Sequence, residues 1–282
     1  MIYGLGAALG WGLSDITVAI VSRRIGSFLA VVIGQSAGLV LFGILLVVAH
    51  PPLPNPGTAR LAILLALGVT GALSYMAFYR GLQLGPVALV TPIVAGYSGI
   101  VIGLSLLILH ETVAALALAG AGVILTGVLL TSTDVRALRA RTRVARGGPF
   151  FALVAMAGFG VGAFIIGRIS QDLGWFETVL IGRLGSAVTL GVIVAYRRQA
   201  LSVPRRSLWP ALAAGVLDIL GFAAFARGSE LGFEAITAAA SAVYPLIPVV
   251  AGVVYLHERP TAPKWAGVGL VITGLILLAV GR

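Results

Sequence analysis

Three charged side chains interrupt runs of apolar sequence: Asp15, Arg183 and Asp218. A charge inside an apolar span is expensive, so it is read first as functional and given a partner. An acid and a base facing one cavity would hold the ammonium and the carboxylate of an amino acid. An intramembrane carboxylate can also load and release a proton, which makes Asp15 and Asp218 the candidates for proton coupling. The competing reading is a structural ion pair, Arg183 with Asp15 or Asp218, that lines no pathway.

Aromatic residues sit at helical spacing from these charges. Phe222 and Phe225 follow Asp218 at i+4 and i+7, and Trp11 precedes Asp15 at i−4. Tyr75 and Tyr79 repeat the spacing beside Ser74, and Tyr97 and Tyr244 occupy equivalent places in two related segments. Such groups can wall an amphipathic cavity for flat or mixed apolar–polar solutes. For any one of them the alternative is ordinary membrane packing or an interfacial belt. Pro92, Pro245 and Pro248 fall in the segments that carry the two tyrosines. Each lacks a backbone donor and can free a carbonyl where a helix bends, so the three are candidate kinks or gates; a static kink is the alternative.

The elements that must position these residues are apolar throughout. Hydrophobic residues make up 59% of the 282 and charged residues only 10%, with a mean hydropathy of +1.08. A soluble domain carries about 25% charged residues. Ten runs lie near 3–21, 28–49, 60–82, 86–108, 113–131, 149–170, 176–196, 208–228, 235–256 and 264–280. Each approaches the roughly 20 residues that a crossing helix needs, and together they leave no room for a separate soluble domain. Barrel strands would show short alternating segments instead. The expected fold is an all-α polytopic membrane protein with ten transmembrane helices. The first run opens without a basic segment or a small-residue cleavage site, so it is expected to stay in the mature protein. With no cysteine, disulfides and thiolate metal sites are excluded. No Walker loop, His-Glu-x-x-His or nucleophile elbow is present, so neither a cofactor nor a catalytic group is expected.

Residues 73–127 recur about 147 positions later. Ala77-Phe78-Tyr79-Arg80-Gly81 returns as Ala224-Phe225-Ala226-Arg227-Gly228, and Leu109-His110-Glu111 as Leu256-His257-Glu258. Gly120, Gly122, Thr126 and Gly127 fall on Gly267, Gly269, Thr273 and Gly274. A weaker continuation at an offset of 148 sets Gly10-Trp11-Gly12 against Gly158-Phe159-Gly160, Gly26 against Gly174, and Gly34-Gln35 against Gly182-Arg183. The halves are then 1–131 and 149–282, joined by a basic loop at 132–148. Five spans per half is an odd number, so the second half would enter the membrane from the opposite side. That inverted-repeat plan recurs among secondary transporters, with the site between the halves.

The formal charge is +10, and its arginines cluster in short loops between apolar runs. Headgroup anchoring and topology explain that distribution, and nucleic acid is not an expected partner. One face collects Arg23, Arg24, Arg80, the five arginines of 136–146, Arg197, Arg198, Arg205, Arg206, Arg259 and Lys264; the other has Arg60, Arg168, Arg227 and Arg282. The positive-inside rule puts the first face in the cytoplasm and both termini outside.

Together, the two five-helix halves, the Leu-His-Glu step closing the fourth span of each, and the Gly-rich fifth span (Gly120-x-Gly122-x3-Thr126-Gly127 and its partner) resemble the EamA family of the drug/metabolite transporter superfamily. The likeness covers essentially the whole chain. It implies a secondary active or facilitative transporter in a bacterial inner membrane, an exporter of amino acids or similar small metabolites working by alternating access. The YddG-type exporters of aromatic amino acids are among the members that this chain resembles. Nucleotide-sugar or sugar-phosphate carriage is the alternative within the superfamily, and would need several Lys or Arg facing the cavity. An intramembrane enzyme is a distant one, with no acid–base or metal-ligand set to support it. Family resemblance would put both termini in the cytoplasm, against the arginine distribution. His110-Glu111 and His257-Glu258 sit at helix ends, where capping or loop fixing fits better than solute contact. The partners expected are a small-molecule solute, membrane lipids and a candidate coupling proton. Ten spans can enclose a pathway in one polypeptide, so a monomer can suffice.

Overall fold

Within lipid every backbone N–H and C=O must be satisfied inside the protein, so continuous apolar runs fold as helices. The computed structural model describes residues 1–85, 87–108, 114–132, 147–198, 202–232, 234–247, 250 and 262–280. All regular structure among them is helical. The order is α1 (Ile2–Ile25), α2 (Ser27–Ala49), α3 (Gly57–Leu84), α4 (Val87–Ala95), α5 (Tyr97–Ile108) and α6 (Ala115–Ser132). There follow α7 (Gly147–Leu173), α8 (Trp175–Arg197), α9 (Arg205–Glu230), α10 (Glu234–Ser241) and α11 (Ala262–Val280).

Among the described residues seven stretches are long and apolar enough to cross a membrane: α1, α2, α3, Val90–Ile108 through α4 and α5, α7, α8 and α9. The chain is therefore a multi-pass membrane protein. Two shorter apolar stretches, Ala115–Leu130 and Trp265–Leu278, lie in α6 and α11. The outer surfaces are what lipid requires, with Val40, Ile44, Val47, Val188 and Val192 exposed. Polar and charged groups turn inward: Ser14, Asp15, Gln35, Arg183 and Asp218 are all buried.

Lipid tails are as apolar as leucine, so helices associate by close packing of small residues and by interhelical hydrogen bonds. These contacts come in pairs that follow the sequence repeat. On α1, Gly10 abuts Gly221 of α9; on α7, Gly158 abuts Ser74 of α3. Likewise Gly12 meets Ile247, and Gly160 meets Ile100 of α5. A further close contact joins α6 to α11. A Cβ on Gly120 would lie 2.8 Å from the carbonyl oxygen of Gly274, and one on Gly127 would lie 2.7 Å from that of Gly267. The Ser14 hydroxyl donates to the Ala214 carbonyl at 2.9 Å, joining α1 to α9, and that of Ser186 donates to Gly68 at 2.9 Å, joining α8 to α3. Single glycines make the tight joints α1–α2 and α7–α8, Gly26 with φ +88° and Gly174 with φ +91°. Side-chain-bearing residues rarely adopt that backbone region, which accounts for glycine at both sites.

Two expected continuous spans are interrupted. The run 86–108 breaks at Gly96, between α4 and α5, where the amides of Gly96 and Gly99 bond three residues back at 3.1 and 3.0 Å. Pro92 lies inside α4, one turn before that break. The run 235–256 begins as α10 and gives way to a turn at 242–245. Pro245 sits in the turn, and the amides of Tyr244, Leu246 and Ile247 bond three residues back at 3.2, 2.9 and 3.1 Å. A missing proline donor and the switch to tighter bonding explain why α10 stops there. Pro248, the two Leu-His-Glu steps and nearly all of the basic loop fall outside the described residues.

Candidate functional site

The three intramembrane charges come from separate helices and end up in one buried region. Arg183 of α8 meets Asp218 of α9 at 2.7 Å, with side chains only 5% and 9% exposed. Tyr75 of α3 completes the group: its hydroxyl donates to both carboxylate oxygens of Asp218 at 2.8 and 3.0 Å, and accepts from Arg183 at 3.4 Å. The other terminal nitrogen of Arg183 donates to Gln35 of α2. The guanidinium also stacks over rings, its Cζ 5.3 Å from the Tyr75 centroid and 5.1 Å from that of Phe222. A buried ion pair holds when its remaining donors and lone pairs are satisfied, as they are here.

Asp15 of α1 is different. It is 4% exposed, and its Oδ2 has no hydrogen-bond donor among the described residues. It lines a cavity of about 60 Å³, together with Asp218, Val94, Ala163 and eight aromatic residues: Trp11, Tyr75, Phe78, Tyr97, Phe159, Phe222, Phe225 and Tyr244. Trp11 is the hub of the aromatic wall, its ring 5.8–6.3 Å from those of Phe225, Tyr97, Phe222 and Tyr244. Tyr75 packs edge-on to Phe159 at 4.9 Å.

The backbone breaks carry the two equivalent tyrosines into this wall. The Tyr244 hydroxyl donates to the carbonyl of Thr91 at 2.8 Å. Tyr97 bonds the Ser241 hydroxyl, which in turn donates to the carbonyl of Ala238 at 2.9 Å. Thr91 and Ala238 are themselves 147 positions apart. The tyrosines thus reach equivalent carbonyls, one directly and one through a serine.

Among the residues singled out in the sequence, Trp11, Asp15, Tyr75, Tyr97, Asp218, Phe222 and Tyr244 line this cavity. Arg183 stands behind it, joined through Asp218 and Tyr75. Tyr79 is buried and packs against Tyr75 and Phe78, outside the lining. Pro92 and Pro245 flank the backbone breaks. Sequence reasoning passed over Phe78, Phe159 and Gln35 as site residues, and noted Phe225 only by its spacing from Asp218. The repeat held the missing signal. Ten of the twelve lining residues form five repeat-related pairs: Trp11/Phe159, Asp15/Ala163, Tyr75/Phe222, Phe78/Phe225 and Tyr97/Tyr244. Gln35 is the counterpart of Arg183 and touches it. Glu177 and Glu234 are also buried, each in the first turn of its helix, where the helix dipole favours an acid.

Comparison with known proteins agrees with this architecture. An uncharacterized protein of Methanocaldococcus jannaschii is 24% identical over 124 residues, covering 44% of this chain and 90% of that protein. One crystal structure superposes with a TM-score of 0.78 at 17% identity, over 99% of this chain and 96% of that one, a likeness of fold alone. The EamA-like transporter family matches residues 1–133 and 146–280. With both of those segments matched, nearly the whole sequence is accounted for, and the chain belongs to the EamA-like transporter family, membrane transporters of the drug/metabolite transporter superfamily.

Proposed function

We propose that this transporter exports amino acids or similar small metabolites across a bacterial inner membrane, as the YddG-type members do, by alternating access. On this reading ten spans form two five-helix repeats of opposite orientation, 1–131 and 149–282, joined by the basic loop 132–148. The observation that carries the proposal is the cavity itself. It is walled by five repeat-related pairs, so it would lie on the axis between the halves, where inverted-repeat transporters place their substrate. The paired glycine contacts of α6 with α11 support the same axis. So does the half-length relative, nine-tenths of which matches less than half of this chain. The interruptions at Gly96 and 242–245, next to Tyr97 and Tyr244, are the hinges about which the halves would rock. Sugar-phosphate or nucleotide-sugar carriage fits less well, because the cavity lining holds no Lys or Arg among the described residues.

Counterflow of radiolabelled solutes in proteoliposomes tests this. Wild-type protein should exchange at least one small metabolite with saturable kinetics, and Asp218→Asn, which loosens the Arg183–Tyr75 network at the cavity wall, should lower the rate by about tenfold or more. Unaltered exchange in both Asp218→Asn and Arg183→Gln would remove the site from the pathway. If Asp15 or Asp218 carries a coupling proton, uptake responds to an imposed pH gradient; pH-independent uptake removes the coupling.

A further inference from the structure

We infer that the solute of the aromatic cavity is an organic ammonium ion: an amine on an apolar, ring-bearing body that has no free carboxylate. Among the small metabolites of the proposed function this selects amines over amino acids, and it rests on reading that cavity as the transport site.

The two carboxyl groups on the cavity wall are unequally partnered. Asp218 is neutralised by Arg183, and Tyr75 donates to both of its oxygens. Asp15 is left as a buried carboxyl group on the cavity wall, one oxygen without a partner among the described residues. An ionised carboxylate in such a place needs a compensating cation and hydrogen-bond donors. A solute ammonium brings both.

A solute carboxylate finds the opposite situation. Among the described residues Arg183 is the buried cation nearest the cavity, and it stands outside the lining. Its terminal nitrogens serve Gln35, Asp218 and Tyr75, and the rings of Tyr75 and Phe222 lie against its guanidinium. The tyrosine hydroxyls that could donate are committed too. Tyr244 donates to Thr91, and because Ser241 gives its proton to Ala238, Tyr97 must give its own to Ser241. Apart from Val94, Ala163 and the indole N–H of Trp11, the remaining wall is ring surface, whose negative π-faces attract cations and repel anions. Indole is the strongest such partner, and Trp11, one helical turn from Asp15, is the hub of the cluster. A zwitterionic amino acid would satisfy Asp15 with its ammonium and leave its carboxylate unpaired in a dry site. The matching amine has no such group.

Matched ligand sets decide the matter: 2-phenylethylamine, phenylalanine, 3-phenylpropionate and 2-phenylethanol, with the corresponding indole series, titrated calorimetrically into full-length protein in nanodiscs. The amines should bind tighter than the amino acids, acids and alcohols by about tenfold or more, the margin of one charged hydrogen bond. That margin should vanish in Asp15→Asn and survive in Asp15→Glu. If phenylalanine or phenylethanol binds as tightly as the amine, and Trp11→Ala abolishes both, the ammonium inference falls while the cavity stands as the solute site. If no ligand responds to Asp15→Asn or Trp11→Ala, or none binds, both the inference and the site reading fall. Should the variants not fold, the wild-type ranking of amine over amino acid still decides the inference.

Discussion

At the scale of residues, the Arg183–Asp218–Tyr75 group and Asp15 do different work. The first is a closed network, and half of a closed network is worse than none. Removing one partner of a buried pair leaves an uncompensated charge, at a cost of about 3–5 kcal/mol. Arg183→Gln and Asp218→Asn should each lower the thermal unfolding midpoint of purified protein in detergent, while the double variant should lose less than their sum. Additive losses would mean that the pair is not coupled. The Oδ2 of Asp15 has no hydrogen-bond partner to lose among the described residues, so Asp15→Asn should leave the midpoint unchanged or raise it. The sequence made these charges legible because acids and arginines are rare in apolar runs. It also left open whether Arg183 pairs with Asp15 or with Asp218, since a choice of partner depends on helix rotation and crossing, which no spacing within one segment encodes. Phe78 and Phe159 were hidden for another reason. An aromatic residue in an apolar helix resembles lipid-facing packing until its repeat partner is found on the same wall.

At the scale of elements, the helices were legible and their interruptions were not. Hydrophobic length sets where a span lies to within a few residues, as for α2, α7 and α8. The breaks at Gly96 and 242–245 depend on how backbone groups are satisfied after a proline, and composition alone does not fix that. The glycine pattern, by contrast, carried packing information in plain view. Gly127 faces the Gly267 backbone across the α6–α11 contact, whereas a Cβ on Gly122 of the same helix would meet nothing within 4 Å. Gly127→Leu should therefore destabilise by at least the roughly 1–3 kcal/mol of overpacking. Gly122→Leu should be neutral or stabilising by a few tenths to about 1 kcal/mol, from helix propensity alone. Equal losses in the two variants, measured as unfolding midpoints in the same detergent, would mean that α6 and α11 do not approach through these glycines.

At the scale of the whole molecule the open question is orientation, and the two ends of the bundle differ in charge. At one end Arg23 donates to the Gly85 carbonyl at 3.1 Å, with Arg80, Arg197, Arg205 and Arg206 on the same side of the sequence-derived topology. At the other, two of the described arginines are answered by acids: Arg60 by Asp172 at 2.9 Å and Arg227 by Glu230 at 2.6 Å. The unanswered positive charge therefore gathers at the first end, and translocation of such loops is what the positive-inside rule opposes. Anionic headgroups of the cytoplasmic leaflet would hold that end in place. The chain has no cysteine, so a single introduced thiol reports sidedness without background. Thr58 and Ser202 are both exposed, at the start of α3 and just before α9, and the sequence-derived topology puts them on opposite faces. With the basic face in the cytoplasm, Thr58→Cys should react with a membrane-impermeant maleimide in intact cells, and Ser202→Cys only after permeabilisation. The reverse pattern would place both termini inside, where other family members would put them, and would mean that arginine clustering does not set the topology of this chain. Labelling of both sites in intact cells would point to insertion in both orientations, an outcome equally at odds with a single cytoplasmic basic face.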